Sequence, residues 1–572
     1  MPSPEHGRIG PAERAAAIER MSGSSDETLD VLVIGGGVVG AGAALDAATR
    51  GLSVGLIEQR DLASGTSSRS SKLVHGGIRY LEQLDFPLVR EALIERGLLL
   101  ERIAPHLVHP IRFLYPLRTP LVERLYVGAG MTLYDLFSWT GGRPPGVPHH
   151  RHLSRRQLAR AMPDLRRDAF LGGLVYSDGQ VDDARLVATI ARTAVAYGAA
   201  VATRVRSDGF LVEDGAVVGV RARDLESGAA LEIRARRVVV ATGVWTDDTL
   251  EAAGAERSIR VRASKGVHLV VPRNRFRSKV GLLLRTEKSV LFVIPWGRHW
   301  LIGTTDTDWE LDLAHPAATA ADIDYLLAHV NAVLATPLTR DDVEGVYAGL
   351  RPLLAGESEE TSKLSREHLV VHPLPGLVAI AGGKLTTYRV MGEDVIDAAA
   401  IGLDGVPASV TTDIPLVGAD GYPAARNRRG RIARATGLAP DQIDRLLGRY
   451  GALVDDLAAL IVERPELAAT LPGTDYLGAE AVYAVTHEGA LHLDDVLTRR
   501  TRISIETWDR GVAAAPVVAG LMGRTLGWDE SRVEREIAAY HERVVAERAS
   551  QDQPDDESAD RVRLTARDVL DR

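Results

Sequence analysis

The stretch SSKLVHGGIRYLE, residues 70–82, gathers side chains able to do chemistry: Lys72, His75, Arg79 and Tyr80 surround the pair Gly76 and Gly77. An imidazole moves protons near neutral pH, a guanidinium grips an anion through paired N–H donors, and glycines let backbone come close to a partner. A second such place is AGGKLTTYR, where Lys384, Leu385 and Thr386 follow Gly382 and Gly383. His268 in KGVHLVVP adds another candidate base, and Arg351 in YAGLRPLL another cation suited to an anionic group.

What these groups would act on depends on the element upstream. Residues 30–34, DVLVI, form a short apolar run of the kind buried on both faces of a parallel sheet. Gly35, Gly36, Gly37, Val38, Val39 and Gly40 follow and fit G-x-G-x-x-G, with Gly35, Gly37 and Gly40 at the fixed positions. Residues 41–50 favour helix, and 52–58 read as a second strand ending in Glu58. The first glycine makes the tight turn, the second admits a pyrophosphate, and the third lets helix pack on strand. The helix N-terminus supplies N–H donors to phosphate, and Glu58 can accept from ribose hydroxyls. Glycines alone would say little; strand, glycines, helix, strand and acid in order mark a dinucleotide pocket.

Loop 60–73, with Ser67, Ser68, Ser71 and Lys72, offers donors for further phosphate and flavin contacts. Two later strands also end in glycine, at Gly243 and at Gly382 and Gly383, the latter just before a helix opening near Leu385. Backbone donors there can stabilise negative charge on a reduced flavin. Three glycine-marked strand ends resemble an α/β flavoprotein of the amino-acid-oxidase and glutathione-reductase type. That resemblance implies FAD, and with no cysteine in the chain the flavin is expected to be non-covalent.

The positioning elements are expected in several domains, because 572 residues exceed one core. A discontinuous Rossmann-like FAD-binding domain is expected over 29–88, 176–260 and 345–404. An α+β substrate domain with an antiparallel sheet would take 89–175 and 261–344. Residues 405–420 read as a linker, 421–545 as a helical C-terminal domain, 1–28 as a disordered polar extension that admits one short helix around Ala12 to Met21, and 546–572 as a flexible tail. The net charge of −9 gives no global pull toward nucleic acid. No window is apolar enough to span a membrane, but 110–139 mixes aromatic, apolar and basic residues as an interfacial patch would. Asp182 and Asp183 read as a helix cap, and His149, His150 and His152 as a solvated loop, so no metal site is expected.

The stretches SSKLVHGGIRYLE, YSDGQVDDARL, KGVHLVVP, IPWGRHWLIGTTDTDWE, YAGLRPLL, GGKLTTYR and HEGALHLDDVLTRRTRI together resemble the FAD-dependent, respiratory glycerol-3-phosphate dehydrogenases, over about residues 29–545. The resemblance implies oxidation of sn-glycerol 3-phosphate to dihydroxyacetone phosphate, with electrons passing through FAD to a membrane quinone. It places Arg79, Tyr80 and Arg351 on the substrate, Lys384 in the active site, and Gly76, Gly243, Gly383, Leu385 and Thr386 beside the cofactor. His75 and His268 both remain candidates for the base, with the motif favouring His75. The expected setting is the cytoplasm, peripheral on the inner face of the plasma membrane, with a homo-oligomer allowed. Two rivals stand: an oxidase using oxygen, and a non-catalytic flavin-binding protein.

Overall fold

The computed structural model describes residues 7–23, 28–82, 84–119, 122–139, 146–255, 259–287, 290–355 and 367–571. Its first sheet is built around Leu29–Ile34, whose Val31, Leu32 and Val33 are fully buried. A strand apolar on both faces takes a central place. The main path runs His368–Leu374, Leu377–Gly382, Ala230–Val240, Leu29–Ile34, Val54–Glu58, Ala200–Thr203. Every pair on it is parallel except the first. Helices Val38–Thr49 and Tyr388–Ala400 pack together on this sheet through glycine. A Cβ on Gly42 would lie 3.0 Å from the Tyr388 ring, and one on Gly392 would lie 2.8 Å from the Gly42 carbonyl carbon. The sheet is discontinuous in sequence, as the flavoprotein reading requires.

The second sheet is mostly antiparallel. Its long strand Val261–Pro272 pairs with Gly345–Leu354 through ten consecutive register positions, Val261 with Leu354 to Val270 with Gly345. This corrects the sequence assignment, which gave 345–354 to the cofactor domain. The composition of a strand reports burial, not which sheet it joins, and register is a long-range property. The boundary at 176 also moves. Gly172–Gln180 pairs along its whole length with His109–Leu117, and Leu73–Val74 adds to its end through Gln180 and Gly179. The stretch carrying His75 thus leaves the cofactor domain on the edge of the second sheet.

The C-terminal region is helical. In Pro440–Tyr450 the buried residues Ile443, Leu446, Leu447 and Tyr450 follow the three- and four-residue spacing of one helix face. The short helix expected around Ala12 to Met21 is present and docked, so the extension is not disordered there, and the flexible tail needs correction too. Residues 1–6 and 24–27 lie outside the described set, but Pro11–Ser22 is a helix that buries Ala17 and Met21 against the first sheet. At the other end, Glu530–Ser550 runs past residue 545, and a further helix spans Asp556–Arg563. Charge density suggests disorder only where the charges stay solvated; here Asp556 pairs with Lys265, Arg563 with Glu547 and Asp568 with Arg60.

Candidate active site

At the end of Leu29–Ile34 the chain turns at Gly35, whose φ of +112° suits glycine. A Cβ on Gly40 would stand 1.9 Å from the Gly35 carbonyl oxygen, so the third glycine is what allows helix to meet strand. Gly36 donates its N–H to Glu58 Oε2 (2.7 Å), and Arg60 donates its own to Glu58 Oε1 (2.8 Å). Burial pushes the Glu58 carboxyl up, and these two donors work against that shift. Helix Val38–Thr49 opens on Gly37 with no side-chain cap and no acid in its first turn. Ser67 Oγ accepts from Val38 N at 3.0 Å.

These residues line one wall of a cavity of about 550 Å³. Gly35, Gly37, Val39, Glu58, Ser67 and Gly243 face it, while Gly36 and Gly40 shape the turn behind. Ser71 faces it too. Ser68 and Lys72 do not, which corrects their assignment to the cofactor. Lys72 is fully buried, with its ammonium 2.9 Å from Asp183 Oδ1 and 3.2 Å from the Ser68 carbonyl. The nearby carboxylate takes this cation: Asp182 does cap helix Asp183–Ala196, but Asp183 is drawn into the ion pair and also meets Arg502.

Another part of the cavity wall holds the side chains singled out as candidates for chemistry. Leu377–Gly382 ends in Gly382 and Gly383, both at positive φ (+84° and +79°), and Lys384 then leads through Leu385–Thr387 into the helix. Lys384 Nζ lies 3.8 Å from the centre of the Tyr80 ring. Thr386 Oγ1 accepts from His75 N (3.1 Å) and donates to His75 O (3.3 Å), clamping the backbone of a half-buried histidine. Gly76 lies behind the wall, with its N–H donated to the Tyr134 hydroxyl at 2.9 Å.

His268 stacks on Tyr347 with ring centres 4.8 Å apart, and its Nε2 is 2.9 Å from Ser71 Oγ. Burial, with the charges of Arg351 and Lys72 nearby, holds its pKa well below the ordinary imidazole value. Arg351 reaches over Gly266, where a Cβ would come within 2.7 Å of the guanidinium. It donates to Ser264 Oγ (3.2 Å), Asp306 Oδ1 (3.3 Å), Thr304 Oγ1 (3.0 Å) and the Thr305 carbonyl (3.1 Å).

The structure therefore brings His75, Tyr80, His268, Arg351, Lys384, Leu385, Thr386 and Gly383 onto the same cavity as the dinucleotide motif. The side chain of Arg79 lies outside the described residues. Asp306, which holds Arg351, and Tyr347, which stacks on His268, were not among the expected site residues, although both stand in the motifs IPWGRHWLIGTTDTDWE and YAGLRPLL. Among the described residues no cluster of three metal-ligating side chains occurs. His149 and His150 instead share Asp135, at 3.4 and 2.7 Å.

The cavity fits an extended dinucleotide. Glycines clear its floor, a helix N-terminus with no acid in its first turn faces it, and the buried Arg60 Nε has no acceptor among the described residues. Glu58 and Gly382 end strands three spacings apart, about 14 Å at about 4.8 Å per strand.

The comparisons agree with this geometry. The sequence matches the FAD dependent oxidoreductase family over residues 30–392 and the C-terminal domain of alpha-glycerophosphate oxidase over 409–533. It is 57% identical over 562 residues to a glycerol-3-phosphate dehydrogenase of Mycobacterium leprae, covering 98% of this chain and 94% of that protein. It is 39% identical over 525 residues to glycerol-3-phosphate dehydrogenase 1 of Mycobacterium tuberculosis, covering 89% and 97%. The solved glycerol-3-phosphate dehydrogenase from Bacillus halodurans complexed with FAD aligns with a TM-score of 0.77 at 32% identity, over 94% of this chain and 97% of that one. The chain belongs to the FAD-dependent glycerol-3-phosphate dehydrogenase family.

Proposed function

We propose that this protein oxidises sn-glycerol 3-phosphate at C2 to dihydroxyacetone phosphate and passes the electrons to a membrane quinone. The observation that carries the first half is the meeting of Arg351, Lys384 and two histidines in the cavity that also holds the dinucleotide motif. FAD, when bound, supplies the two-electron acceptor.

The protein supplies binding and proton handling. Arg351, fixed by four acceptors, presents a pre-oriented guanidinium to the phosphate, and Lys384 adds a second cation. The C2 hydroxyl needs a proton acceptor. A histidine kept neutral by burial is a weak base near neutral pH and serves better as a hydrogen-bond partner; His268 takes that role. His75, half-buried with its backbone clamped by Thr386, takes the proton.

The membrane half rests on helix Val122–Trp139. No helix among the described residues is long and apolar enough to cross a membrane, so contact would be peripheral. Residues 122, 125, 129, 132, 136 and 139 share one exposed face, on which Val122, Leu125, Leu136 and Trp139 are apolar. Arg124 ties this helix to the carbonyl of Leu153 (3.1 Å), next to the exposed Arg151, Arg155, Arg156 and Arg160. An apolar face with a basic rim suits an anionic lipid surface, here the inner face of the plasma membrane. The preceding strand His109–Leu117 packs into the second sheet, which removes most of 110–117 from that patch.

A second reading, oxygen as acceptor, is favoured by the match of 409–533 to the C-terminal domain of alpha-glycerophosphate oxidase. Anaerobic bleaching of the flavin by glycerol 3-phosphate, followed by reoxidation with quinone or with oxygen, tests both. Lack of bleaching would overturn the activity, and faster reoxidation by oxygen would replace quinone as the acceptor.

A further inference from the structure

The last residues of the chain return to the cofactor cavity. After helix Glu530–Ser550, the carbonyl of Gln553 accepts from Ala320 N at 2.9 Å, and Asp556 takes the Lys265 ammonium. Ala559 is fully buried in a cluster with Val244, Trp309 and Leu350. The segment then reaches the first sheet. Asp568 Oδ2 accepts from Arg60 NH2 at 2.7 Å and lies 2.8 Å from His315 Nε2, and Arg204 NH2 donates to the Val569 carbonyl at 2.9 Å. Residues 551–571 thus form a strap from the C-terminal domain across both sheets.

Arg60 is where this strap meets the cavity. It lines the wall two residues after Glu58, the acid suited to ribose. Its guanidinium carbon is 6.0 Å from the centre of the Trp245 ring, which lines the same wall. Its Nε is buried without an acceptor among the described residues. A guanidinium plane, an indole and an unanswered donor beside a ribose-binding carboxylate make a slot for a flat, nitrogen-rich aromatic base. An arginine left alone there would explore many rotamers and carry an unbalanced charge; a carboxylate on its far side fixes one rotamer and balances that charge.

We propose that Asp568 is a positioning residue of the cofactor site: it holds Arg60 beside Trp245 and builds the adenine end of the FAD pocket, so that FAD retention depends on this single contact of the C-terminal strap and not on the strap's other anchors. The strap lies outside the stretch matched to the oxidase C-terminal domain, which ends at residue 533.

The test is the FAD dissociation rate, followed by flavin fluorescence after dilution of holoenzyme into a flavin trap. Asp568→Asn should release FAD roughly ten times faster or more, as expected for loss of a charge-assisted partner, and Asp568→Glu should recover part of the difference. Asp556→Asn loosens the strap at its other anchor and should lower thermal stability while leaving FAD release unchanged. Asp568→Asn should add little to Arg60→Ala. The proposal is overturned if the yellow Asp568→Asn protein releases FAD at the parent rate, if Asp556→Asn accelerates release equally, or if the effects of Asp568→Asn and Arg60→Ala simply multiply. Should Asp568→Asn not fold, Arg60→Gln keeps the bond from Asp568 to His315, and unchanged release there overturns the proposal as well.

Discussion

Lys384 Nζ stands 3.8 Å from the centre of the Tyr80 ring, so two side chains more than three hundred residues apart in sequence form one unit of the active-site wall. The ring face attracts the ammonium and limits where it can point, without neutralising it as a carboxylate would. Tyr80→Phe keeps that face and should retain kcat/KM near the parent value. Tyr80→Leu should lower it about 2- to 30-fold, matching about 0.5–2 kcal/mol for a cation–ring contact. If phenylalanine is as damaging as leucine, the hydroxyl is what matters, through direct contact with substrate.

Arg351 should behave as a phosphate ligand already in position. Arg351→Ala should lower kcat/KM for glycerol 3-phosphate by about 2–4 kcal/mol in transition-state terms, the loss expected for one partner of a desolvated, charge-assisted pair. Arg351→Lys should recover little, because one ammonium cannot reach Ser264, Asp306, Thr304 and the Thr305 carbonyl and still present a planar fork. With unphosphorylated glycerol, turnover should be very low and nearly indifferent to the substitution. An equal loss on both substrates would mean that Arg351 holds the fold and not the phosphate.

The dinucleotide motif, both glycine-marked strand ends and the candidate side chains that gather on one cavity were legible because each is a local pattern with one physical reason. Gly35, Gly37 and Gly40 are needed for turn, approach and packing whatever else the chain does. Sheet membership was not legible at 345–354, because a strand shows its burial locally but finds its partner 75 or more residues away in Val261–Pro272. Lys72 misled for a related reason: a lysine in a donor-rich loop looks like a phosphate ligand until Asp183 folds against it. The C-terminal tail looked disordered, and the docking of the N-terminal helix was not legible, because their charges meet acids and bases contributed by other elements, as Asp568 meets Arg60 and Arg14 meets Asp224. Asp306 stayed hidden because an acid that fixes an arginine carries no sequence sign of that role.

Buried histidines should set the acid limb of stability. Burial holds His268 well below its ordinary pKa and drops His106 to about 3. Above pH 6.5 both are neutral in folded and unfolded protein alike. Below it the unfolded chain binds protons that the folded protein refuses, so each contributes a loss of about 1.4 kcal/mol per pH unit of acidification. Between pH 6.5 and about 4.5 most carboxylates of the unfolded chain are still ionised, while carboxyls raised by burial, Glu58 and Glu95 among them, take up protons in the folded protein and oppose this loss. His492, between Glu226 and Glu536 at 2.8 Å each, has the opposite sign. Its pKa is raised to about 9, so its contribution is fully present below 6.5 and lost as pH rises through about 9. Denaturant titrations of the holoenzyme should show stability falling below pH 6.5, with a shallower fall in His106→Leu, and an alkaline loss that disappears in His492→Gln. An acid limb unchanged by His106→Leu would remove that residue from the account.

Membrane contact can be separated from chemistry by choosing residues on the outer face of helix Val122–Trp139. Leu125 and Leu136 are 69% and 58% exposed, so placing glutamates there creates no buried charge. Phe137 is a poorer choice, because it is partly buried with its ring 6.1 Å from Phe86. The Leu125→Glu, Leu136→Glu double variant should bind liposomes containing anionic lipid at least tenfold more weakly, since it removes two apolar anchors and adds two negative charges facing the headgroups. Anaerobic flavin reduction by glycerol 3-phosphate should stay near the parent rate, because the catalytic side chains belong to other elements. Reduction of a membrane-embedded quinone should fall with liposome binding, while reduction of a short-chain soluble quinone should not. Replacing Arg155 and Arg156 with glutamine should weaken binding to anionic liposomes more than to neutral ones and flatten its salt dependence. If the double variant binds liposomes like the parent, this helix is not the contact; if both half-reactions fall together, the substitutions have disturbed the fold.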